Sequence, residues 1–473
     1  RVTLQQAAVL GDDFWAEAVR QMNKVARFPL DETQVESALD ALERRDMIFR
    51  AATPVFSGGR AYLFKHAVLR EVAYESVLLR DRAAYHLQAA RWLEAQSGDG
   101  IAGYAAPIAQ HYELAGRAAE AARLYEIAAG RAAEEARVGQ SIGYYRKVLE
   151  LLRPMPQYLD TRLAVLDRLG RSLMQRGRLV EALDAYRMMH NEAELDGNLS
   201  VQARAENARA AIYLELGDAG RAAAATVRAE QLARLSGTDI ELVWACLRQA
   251  ESAGRMDNTE AAMAAARRGL EHSRLLDAPR ETGRALALLA AYGPAANHPE
   301  EAERAREELT ALAEALIGRD RLEDAADVLV SLGKVRLDAG LHGEARALLE
   351  QALLLQRRTG DRRATAEILR LLGTTVCRMG ESEAAIDYLE EAAALAEAPG
   401  SRYTRLGCRL ALGEALLARG QYPAAEATLR QVIAAVEDAG RLGNWVESKR
   451  AYRLLAEALN QQGRRDEARL FRG

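Results

Sequence analysis

Apolar residues recur at intervals of three and four along most of the chain, which predicts amphipathic α-helices. From about residue 118 onward a longer pattern is added: a leucine-glycine pair, a second glycine, an alanine and a bulkier residue return at intervals of about forty residues. The second glycines are Gly177, Gly217, Gly340, Gly380, Gly420 and Gly463. Such a glycine ends a helix in the left-handed conformation, and the alanine lets the next helix approach closely. The pattern predicts short helix pairs that stack to bury their apolar faces.

Two units of this pattern lack the second glycine. Asp257 and Asn297 stand at its position. Both residue types tolerate the left-handed region better than most, which favours ordinary drift of the repeat. The alternative is a functional bend, supported by Pro294 and Pro299, in which the turn at Asn297 departs from the glycine geometry. Ahead of Gly177 the pattern is weaker and places Ala136 at a turn.

The first eighty residues follow different patterns. Asp31 with Gln34 three residues on predicts the start of a capped helix. The two apolar runs around residues 54–59 alternate with period two and predict a hairpin. After Leu63 the period becomes helical, so that His66 lies between a strand and a helix. The order of these elements predicts a winged-helix domain with a two-stranded wing.

The predicted fold class is therefore mostly all-α. We expect a winged-helix domain over residues 1–80, linker helices over 81–116, and an α-solenoid over 117–473 with about nine helix pairs, the last one truncated. The glycine-rich stretch of residues 97–103 is the clearest break.

Charge and composition exclude several classes of function. The 64 lysines and arginines against 68 aspartates and glutamates give a net charge of -4, which offers no bulk attraction to nucleic acid or to membranes. The helix that would read DNA, residues 31–46, carries six carboxylates against Arg44 and Arg45, and we expect no direct DNA binding. No apolar run approaches the roughly 18 residues of a membrane span. The three cysteines predict reduced core thiols in a cytoplasmic protein.

Catalytic motifs are missing from the sequence. No G-x-x-x-x-G-K-[ST] occurs, none of the five lysines follows a glycine-rich loop, and no H-E-x-x-H or C-x-x-C is present. We therefore expect no enzyme activity, no metal and no cofactor in this chain. Because the sequence begins with Arg1 rather than methionine, we also expect a fragment of a longer protein.

The repeat resembles the tetratricopeptide repeat (TPR) family, in the long-unit form seen in kinesin light chain. The resemblance implies a right-handed superhelix whose first helices line a concave face. Matching positions are Asp167, Arg171, Arg204, Asn207, Arg248, Glu251, Lys334, Arg370, Thr374, Glu414, Arg453 and Glu457. The lysine-asparagine clamp of chaperone-binding members is not reproduced, so a protein segment, a peptide and a small inducer all remain open as ligands.

The stretch YLFKHAVLREVAYESVLLRDRAAYHLQAARWLEA resembles the region after the nucleotide-binding domain in bacterial signal-transduction ATPases with numerous domains (STAND). In related ATPases a Met-His-Asp motif at this junction places a histidine against the phosphate of ADP. The matching residue is His66, with Lys65 and Ala67 in place of the methionine and aspartate. The alternative is that His66 has a structural role only and fills a polar junction between the strand and the helix.

The two resemblances together imply the sensor and interaction arm of a STAND ATPase. ATP or ADP would belong to the parent protein, and the parent's nucleotide-binding domain would be a partner of the winged helix. The resemblance leaves open an oligomer that forms on activation. The rival hypothesis is a free-standing TPR scaffold without nucleotide control.

Overall fold

Helices alternate with short strands at the beginning of the chain. A computed structural model describes residues 1–51, 60–359, 361–397, 402–438 and 448–471. The first elements are α1 (Val2–Leu10), β1 (Asp13–Trp15), α2 (Ala16–Asn23), α3 (Glu32–Arg44), β2 (Ile48–Arg50), β3 (Ala61–Phe64) and α4 (Ala67–Glu75).

Helix α3 begins where its sequence predicts. The Asp31 carboxylate accepts a hydrogen bond from the Gln34 backbone N–H at 2.8 Å, and the Gln34 side-chain oxygen accepts one from the Asp31 backbone N–H at 3.0 Å. This reciprocal capping box satisfies two amides that the helix leaves without partners. Val35 and Leu39, one turn apart, are buried and attach α3 to the core.

The three strands form one antiparallel sheet in the order β1-β3-β2. Strands β2 and β3 pair with Ile48 opposite Phe64, while the predicted hairpin tip, within residues 52–59, lies outside the described residues. The sequence did not predict the third strand, β1, which pairs with the other edge of β3. Phe14 of β1 lies opposite Tyr62, and their buried rings stack with centroids 5.5 Å apart. Cross-strand aromatic stacking stabilises a strand too short to show a period of its own.

The glycine-rich break separates two helices by a single turn. Helix α5 (Leu79–Ser97) ends at the 3₁₀ turn Gly98–Gly100, and α6 (Ile101–Leu114) follows at once. Gly98 has φ 44°, in the left-handed region, which lets the chain reverse within three residues.

Nine helix pairs follow within the described part of the chain, and the second helix of the last pair has only six residues. The first helices are α7 (Ala118–Glu134), α9 (Leu159–Gln175), α11 (Leu199–Glu215), α13 (Asp239–Arg255), α15 (Pro279–Tyr292), α17 (Leu322–Asp338), α19 (Arg362–Arg378), α21 (Arg402–Ala418) and α23 (Ser448–Gln461). The second helices are α8 (Val138–Leu152), α10 (Leu179–Leu195), α12 (Ala219–Ser236), α14 (Thr259–Leu275), α16 (Pro299–Gly318), α18 (His342–Thr359), α20 (Ser382–Glu397), α22 (Tyr422–Asp438) and α24 (Arg465–Leu470).

Two compact units make up the chain. The N-terminal unit is Arg1–Leu169 and the C-terminal unit is Gly170–Gly473. The N-terminal unit contains the sheet and the helices up to α8, and the boundary falls within α9. The domain limits predicted at residues 80 and 116 both lie inside the N-terminal unit.

Left-handed residues end the helices at the predicted turns. The six predicted turn glycines all have positive φ, from 70° at Gly177 to 85° at Gly380. After Gly177 the backbone N–H of Arg178 donates to the Leu173 carbonyl at 2.9 Å. This bond closes the helix end in the Schellman arrangement, which requires a left-handed residue before the donor.

The turns without glycine have the same geometry. Asp257 and Asn297 have φ 57° and 59°, and Ala136 has φ 57°. At Asn297 the closing bond is also present, from the His298 N–H to the Gly293 carbonyl at 2.7 Å. The prediction that this turn departs from the glycine geometry is therefore wrong, and drift of the repeat sequence accounts for both residues.

The glycine of the leucine-glycine pair makes room for a side chain of the second helix. A Cβ atom on Gly373 would lie 2.4 Å from Cγ of Leu389, and one on Gly413 would lie 2.8 Å from Leu429. Both leucines are fully buried. They are the bulkier residues of the repeat pattern, so direct contact explains why the small and the large position recur together.

Candidate functional site

The twelve residues predicted to line a concave face all lie on first helices, and they are spread over several of them. Asp167 belongs to the N-terminal unit and the other eleven to the C-terminal unit. Five of the twelve are exposed, namely Arg171, Arg204, Lys334, Arg453 and Glu457. Six are half-buried, namely Asp167, Arg248, Glu251, Arg370, Thr374 and Glu414. Asn207 is buried.

Several of these residues form ion pairs between the first helices of consecutive pairs, which we call the first-helix ion pairs. They are Arg204–Glu241 at 3.1 Å, Arg284–Glu251 at 2.8 Å, Lys334–Glu367 at 3.7 Å, and Arg450–Glu414. Second helices are joined in the same way, as in Arg267–Glu301 and Arg357–Glu391, both at 2.6 Å. Ion pairing between repeats is thus a general feature of the C-terminal unit.

The Asn207 side chain makes structural hydrogen bonds to a neighbouring helix. Its amide Nδ2 donates to the Glu241 backbone carbonyl at 2.8 Å and to the Glu241 carboxylate at 2.9 Å. Asn207 is 2% exposed and Glu241 6%. Asn207 therefore links α11 to α13 and does not lie open to a ligand.

Arg370 and Thr374 are also engaged by their own helix. The Arg370 guanidinium donates to the Glu367 carboxylate at 2.7 Å, and the Thr374 hydroxyl donates to the Arg370 carbonyl at 2.9 Å. Burial opposes ionisation of Glu367, but the Arg370 hydrogen bond and the nearby cations outweigh it and lower the pKa of this carboxyl. A ligand at this position would have to displace existing contacts.

Arg248 lies in a cluster that the sequence did not reveal as a unit. Its guanidinium carbon is 4.8 Å from the centroid of the Trp244 ring, and that of Arg284 on α15 is 5.5 Å from the same centroid. Burial, together with the positive charge of Arg284, lowers the pKa of Arg248 to about 10. Trp244 precedes Arg248 by one helical turn, which is the signal that could have drawn attention to it.

His66 lies at the predicted junction between strand and helix. It is the residue before α4, with φ -135° and ψ 127°, and its backbone carbonyl accepts from the Leu69 N–H at 3.0 Å. The imidazole makes no capping hydrogen bond and is exposed. Beside it, α4 exposes Val68 (69%) and Val72 (59%). The contact between His66 and a phosphate stays a prediction.

The acidic character of α3 is largely compensated by other parts of the N-terminal unit. The pairs are Glu36 with Arg20 and Arg60, Asp40 and Glu43 with Arg50, and Asp46 with Lys65. These four cations offset most of the net charge of -4 counted along residues 31–46, although Arg20 also pairs with Glu17. The absence of DNA binding stays a prediction, but the local charge of α3 no longer supports it.

Other chemical sites are not found in the described residues. No group of three or more histidine, cysteine or acidic side chains there could hold a metal ion. Cys246 and Cys408 are buried, and burial raises the pKa of the Cys408 thiol to about 12, so a reactive thiolate is not available at neutral pH. None of the described helices combines the length and the apolar character needed to cross a bilayer.

Family models of the tetratricopeptide repeat match residues 324–398 and 408–442, so α17 to α20 and α21 to α22 are tetratricopeptide repeats. No curated protein matches the chain.

Several solved structures are similar to the chain. A STAND protein with a tetratricopeptide repeat sensor, from Pyrococcus horikoshii, is 13% identical with a TM-score of 0.44, and the match covers 100% of this chain but 63% of that protein. The apo form of the quorum sensor NprR from B. thuringiensis is 16% identical (TM-score 0.42), covering 80% of this chain and 97% of that one. A Rap protein complexed with competence and sporulation factor is 16% identical (TM-score 0.41), covering 74% and 99%. At this level the likeness carries no argument about function.

Proposed function

We propose that this chain is the sensor and protein-interaction arm of a larger STAND-type ATPase, and that its first helices bind a partner protein or peptide. The observation that carries the proposal is the row of first-helix ion pairs. Except for buried Glu241, their side chains are partly exposed, and each pair joins two consecutive repeats. A ligand with charged groups competes for these pairs and so acts on the contact between repeats.

This arrangement suits a sensor for an energetic reason. Exposed ion pairs contribute little to stability, about 0 to 1 kcal/mol each, so a ligand can replace them at small cost. A ligand that binds one arrangement of the repeats better than another shifts the equilibrium between them by its difference in affinity. The repeats would then report ligand binding to the rest of the parent protein.

A random peptide library selected on the full chain tests partner binding. We expect peptides with micromolar affinity whose binding weakens about tenfold when Arg204 and Lys334 are both replaced by alanine, because both residues belong to first-helix ion pairs. The matched control replaces Arg267 and Arg357, which form equivalent pairs between second helices. Binding measured by calorimetry that depended on the control pair instead would place the site on the second helices and contradict the proposal.

The second part of the proposal concerns control by a nucleotide in the parent protein. We propose that the elements from α1 to β3 form a winged-helix domain and that this domain contacts the parent's nucleotide-binding domain. Exposed His66 with its apolar neighbours Val68 and Val72 would be part of that contact. The chain itself lacks a phosphate-binding loop, so we propose that it is not an enzyme and that ATP or ADP is held by the parent.

Replacing His66 by alanine in the parent protein is expected to weaken ADP binding about ten- to a hundredfold, because a charge-assisted hydrogen bond contributes roughly 1.5 to 3 kcal/mol. The same change would favour signalling without inducer. Calorimetry with ADP measures the first effect. Glu71→Ala, an exposed change on the same helix, is the control and should leave the affinity unaltered. Equal ADP affinity in wild type and His66→Ala would show that His66 only fills the junction.

A further inference from the structure

Three arginines and two carboxylates of α11, α13 and α15 form one cluster in the C-terminal unit. Arg204 pairs with Glu241 at 3.1 Å, and Arg284 pairs with Glu251 at 2.8 Å. Arg248 stands between Glu241 and Glu251 along α13. Among the described residues, no carboxylate oxygen lies within 4.0 Å of its guanidinium nitrogens. Counted together, these three arginines and two carboxylates carry a net charge of +1, and Glu241 and Glu251 act on Arg248 only from beyond ion-pair distance.

The surroundings of Arg248 make this charge costly to keep. Its side chain is half-buried, and the guanidinium of Arg284 lies over the same Trp244 ring, at 5.5 Å from the centroid. Burial and this like charge lower the pKa of Arg248 to about 10 despite the attraction of Glu251 and Glu241, so the group is still a cation at neutral pH. The face of Trp244, 4.8 Å away, offsets part of the cost by a cation–π interaction. An anion would offset the rest.

We infer that Arg248, Arg284 and Trp244 form a binding site for one carboxylate group of a peptide partner. A guanidinium presents two parallel N–H donors that match the two oxygens of a carboxylate. One carboxylate supplies the single negative charge that the cluster lacks, whereas a phosphate dianion would bring a second one close to Glu241 and Glu251. The half-buried indole of Trp244 orients both guanidinium groups by cation–π contact, at 4.8 and 5.5 Å from the ring centroid. The inference rests on the proposed partner binding and narrows its chemistry.

Acetate is the simplest probe of the site and does not depend on any peptide. In the full chain labelled with fluorotryptophan, the fluorine NMR resonance of Trp244 is assigned by the Trp244→Phe variant. At constant ionic strength we expect acetate at millimolar concentrations to shift this resonance saturably. Neutral acetamide should not shift it, and Arg248→Gln should abolish the effect of acetate. An equal shift with acetamide, or a stronger one with inorganic phosphate, would overturn the inference.

Stability separates a binding role of Arg248 from a packing role. Replacing an unpaired, half-buried cation by an apolar residue of similar length does not leave an opposite charge without its partner. We therefore expect the melting temperature of Arg248→Met to stay at or above that of the wild type. Arg284→Met leaves Glu251 unpaired and should lower it. A large fall for Arg248→Met alone would show that Arg248 is there to pack on Trp244.

Peptides selected by the wild-type chain give the second test. Converting the carboxylate of such a peptide to an amide should weaken binding about tenfold, and Arg248→Gln should weaken the carboxylate peptide equally but leave the amide peptide unaffected. Amidation of the C-terminus and Asp→Asn or Glu→Gln changes distinguish a terminal from a side-chain carboxylate. If amidation of the peptide and Arg248→Gln each weaken binding and their free-energy losses add, the inference would be overturned. If peptide binding requires Arg204 and Lys334 but not Arg248, the proposed function is supported and the carboxylate site at Arg248 is contradicted. If no peptide binds, the proposed function is contradicted, and the acetate titration alone tests the carboxylate site.

Discussion

Lowering the pH from 7 to 4.5 is expected to destabilise the N-terminal unit by about 4 to 5 kcal/mol through two buried histidines alone. His86 on α5 and His111 on α6 are 3% and 8% exposed. Their Nδ1 atoms are 2.9 Å apart, and the Tyr74 hydroxyl of α4 lies 3.0 Å from His86 Nε2. The pair thus joins α4, α5 and α6.

The contact between the two Nδ1 atoms requires one of them to donate and the other to accept, so the two rings cannot both be protonated. With both rings neutral, Tyr74 can donate to His86 Nε2 and His86 Nδ1–H to His111 Nδ1. A proton added to His86 would make the Tyr74 hydroxyl the acceptor and would place a charge away from water. Burial, with the neighbouring His111, lowers the pKa of His86 to about 3. Burial likewise lowers the pKa of His111 to about 4.

The sign of the effect follows from proton binding. In the unfolded chain both imidazoles have a pKa of about 6.5, so between pH 6.5 and 4.5 the unfolded state binds protons that the folded state does not. Stability is therefore fully present above about pH 6.5 and is lost as the pH falls, at about 2 to 2.5 kcal/mol for each histidine by pH 4.5. Urea unfolding followed by circular dichroism at several pH values measures the loss.

Two variants isolate the histidines from the carboxylates that also begin to titrate in this range. His86→Gln should be less stable than wild type at pH 7, but its loss on acidification should be smaller by about 2 to 3 kcal/mol. His66→Gln, at an exposed site in the same unit, should keep the wild-type pH dependence. Parallel pH profiles for wild type and His86→Gln would mean that the buried pair is not held neutral.

Replacing Glu206 by leucine is expected to cost about 2 to 3 kcal/mol, because it leaves the half-buried Arg209 guanidinium without its carboxylate partner and removes hydrogen bonds to charged groups. Glu206 on α11 is 1% exposed, and it contacts the Arg209 guanidinium, Arg228 Nε at 3.1 Å and His190 Nδ1 at 3.3 Å. His190 belongs to α10 and Arg228 to α12, so one carboxylate joins three consecutive helices.

Glu301→Leu is the matched control for this experiment. Glu301 pairs with Arg267 at 2.6 Å, but both side chains are partly exposed, and such pairs contribute about 0 to 1 kcal/mol. Denaturant unfolding of the full chain compares the two variants. Similar small losses would contradict the role assigned to Glu206, and retention of the wild-type midpoint by Glu206→Gln would show that its hydrogen bonds matter more than its charge.

The repeat architecture was readable from the sequence because its signals are local. The glycines of the turns, such as Gly177 and Gly380, are required by a backbone angle at that same residue. The capping box of α3 involves residues three positions apart. Even the contact of Gly373 with Leu389 repeats at a constant offset, so that a pattern over a single unit reveals it. The departure expected at Asn297 failed because an asparagine can adopt the angle that the turn requires.

The site was less predictable because its contacts join distant residues. Strand β1 is three residues long and shows no alternation, so only its pairing with β3 reveals it. The acidic count along α3 was correct, but its meaning changed once cations from neighbouring elements were found beside it. Nothing in the sequence indicated that Asn207 is buried. Nor did it indicate that Arg248, also predicted for the concave face, has no carboxylate within 4.0 Å among the described residues.

The sequence by itself determined the helices, their turns and the period of the repeat, because propensity, capping and left-handed turns act over a few residues. Only the tertiary structure decided which charges meet. His86 and His111 are 25 residues apart, and the pairs Arg284–Glu251 and Arg204–Glu241 span 33 and 37 residues. Exposed charged positions tolerate either sign along a helix, and a partner on the next repeat neutralises some of them. The net positive charge around Arg248 therefore arises only when folding brings these residues together.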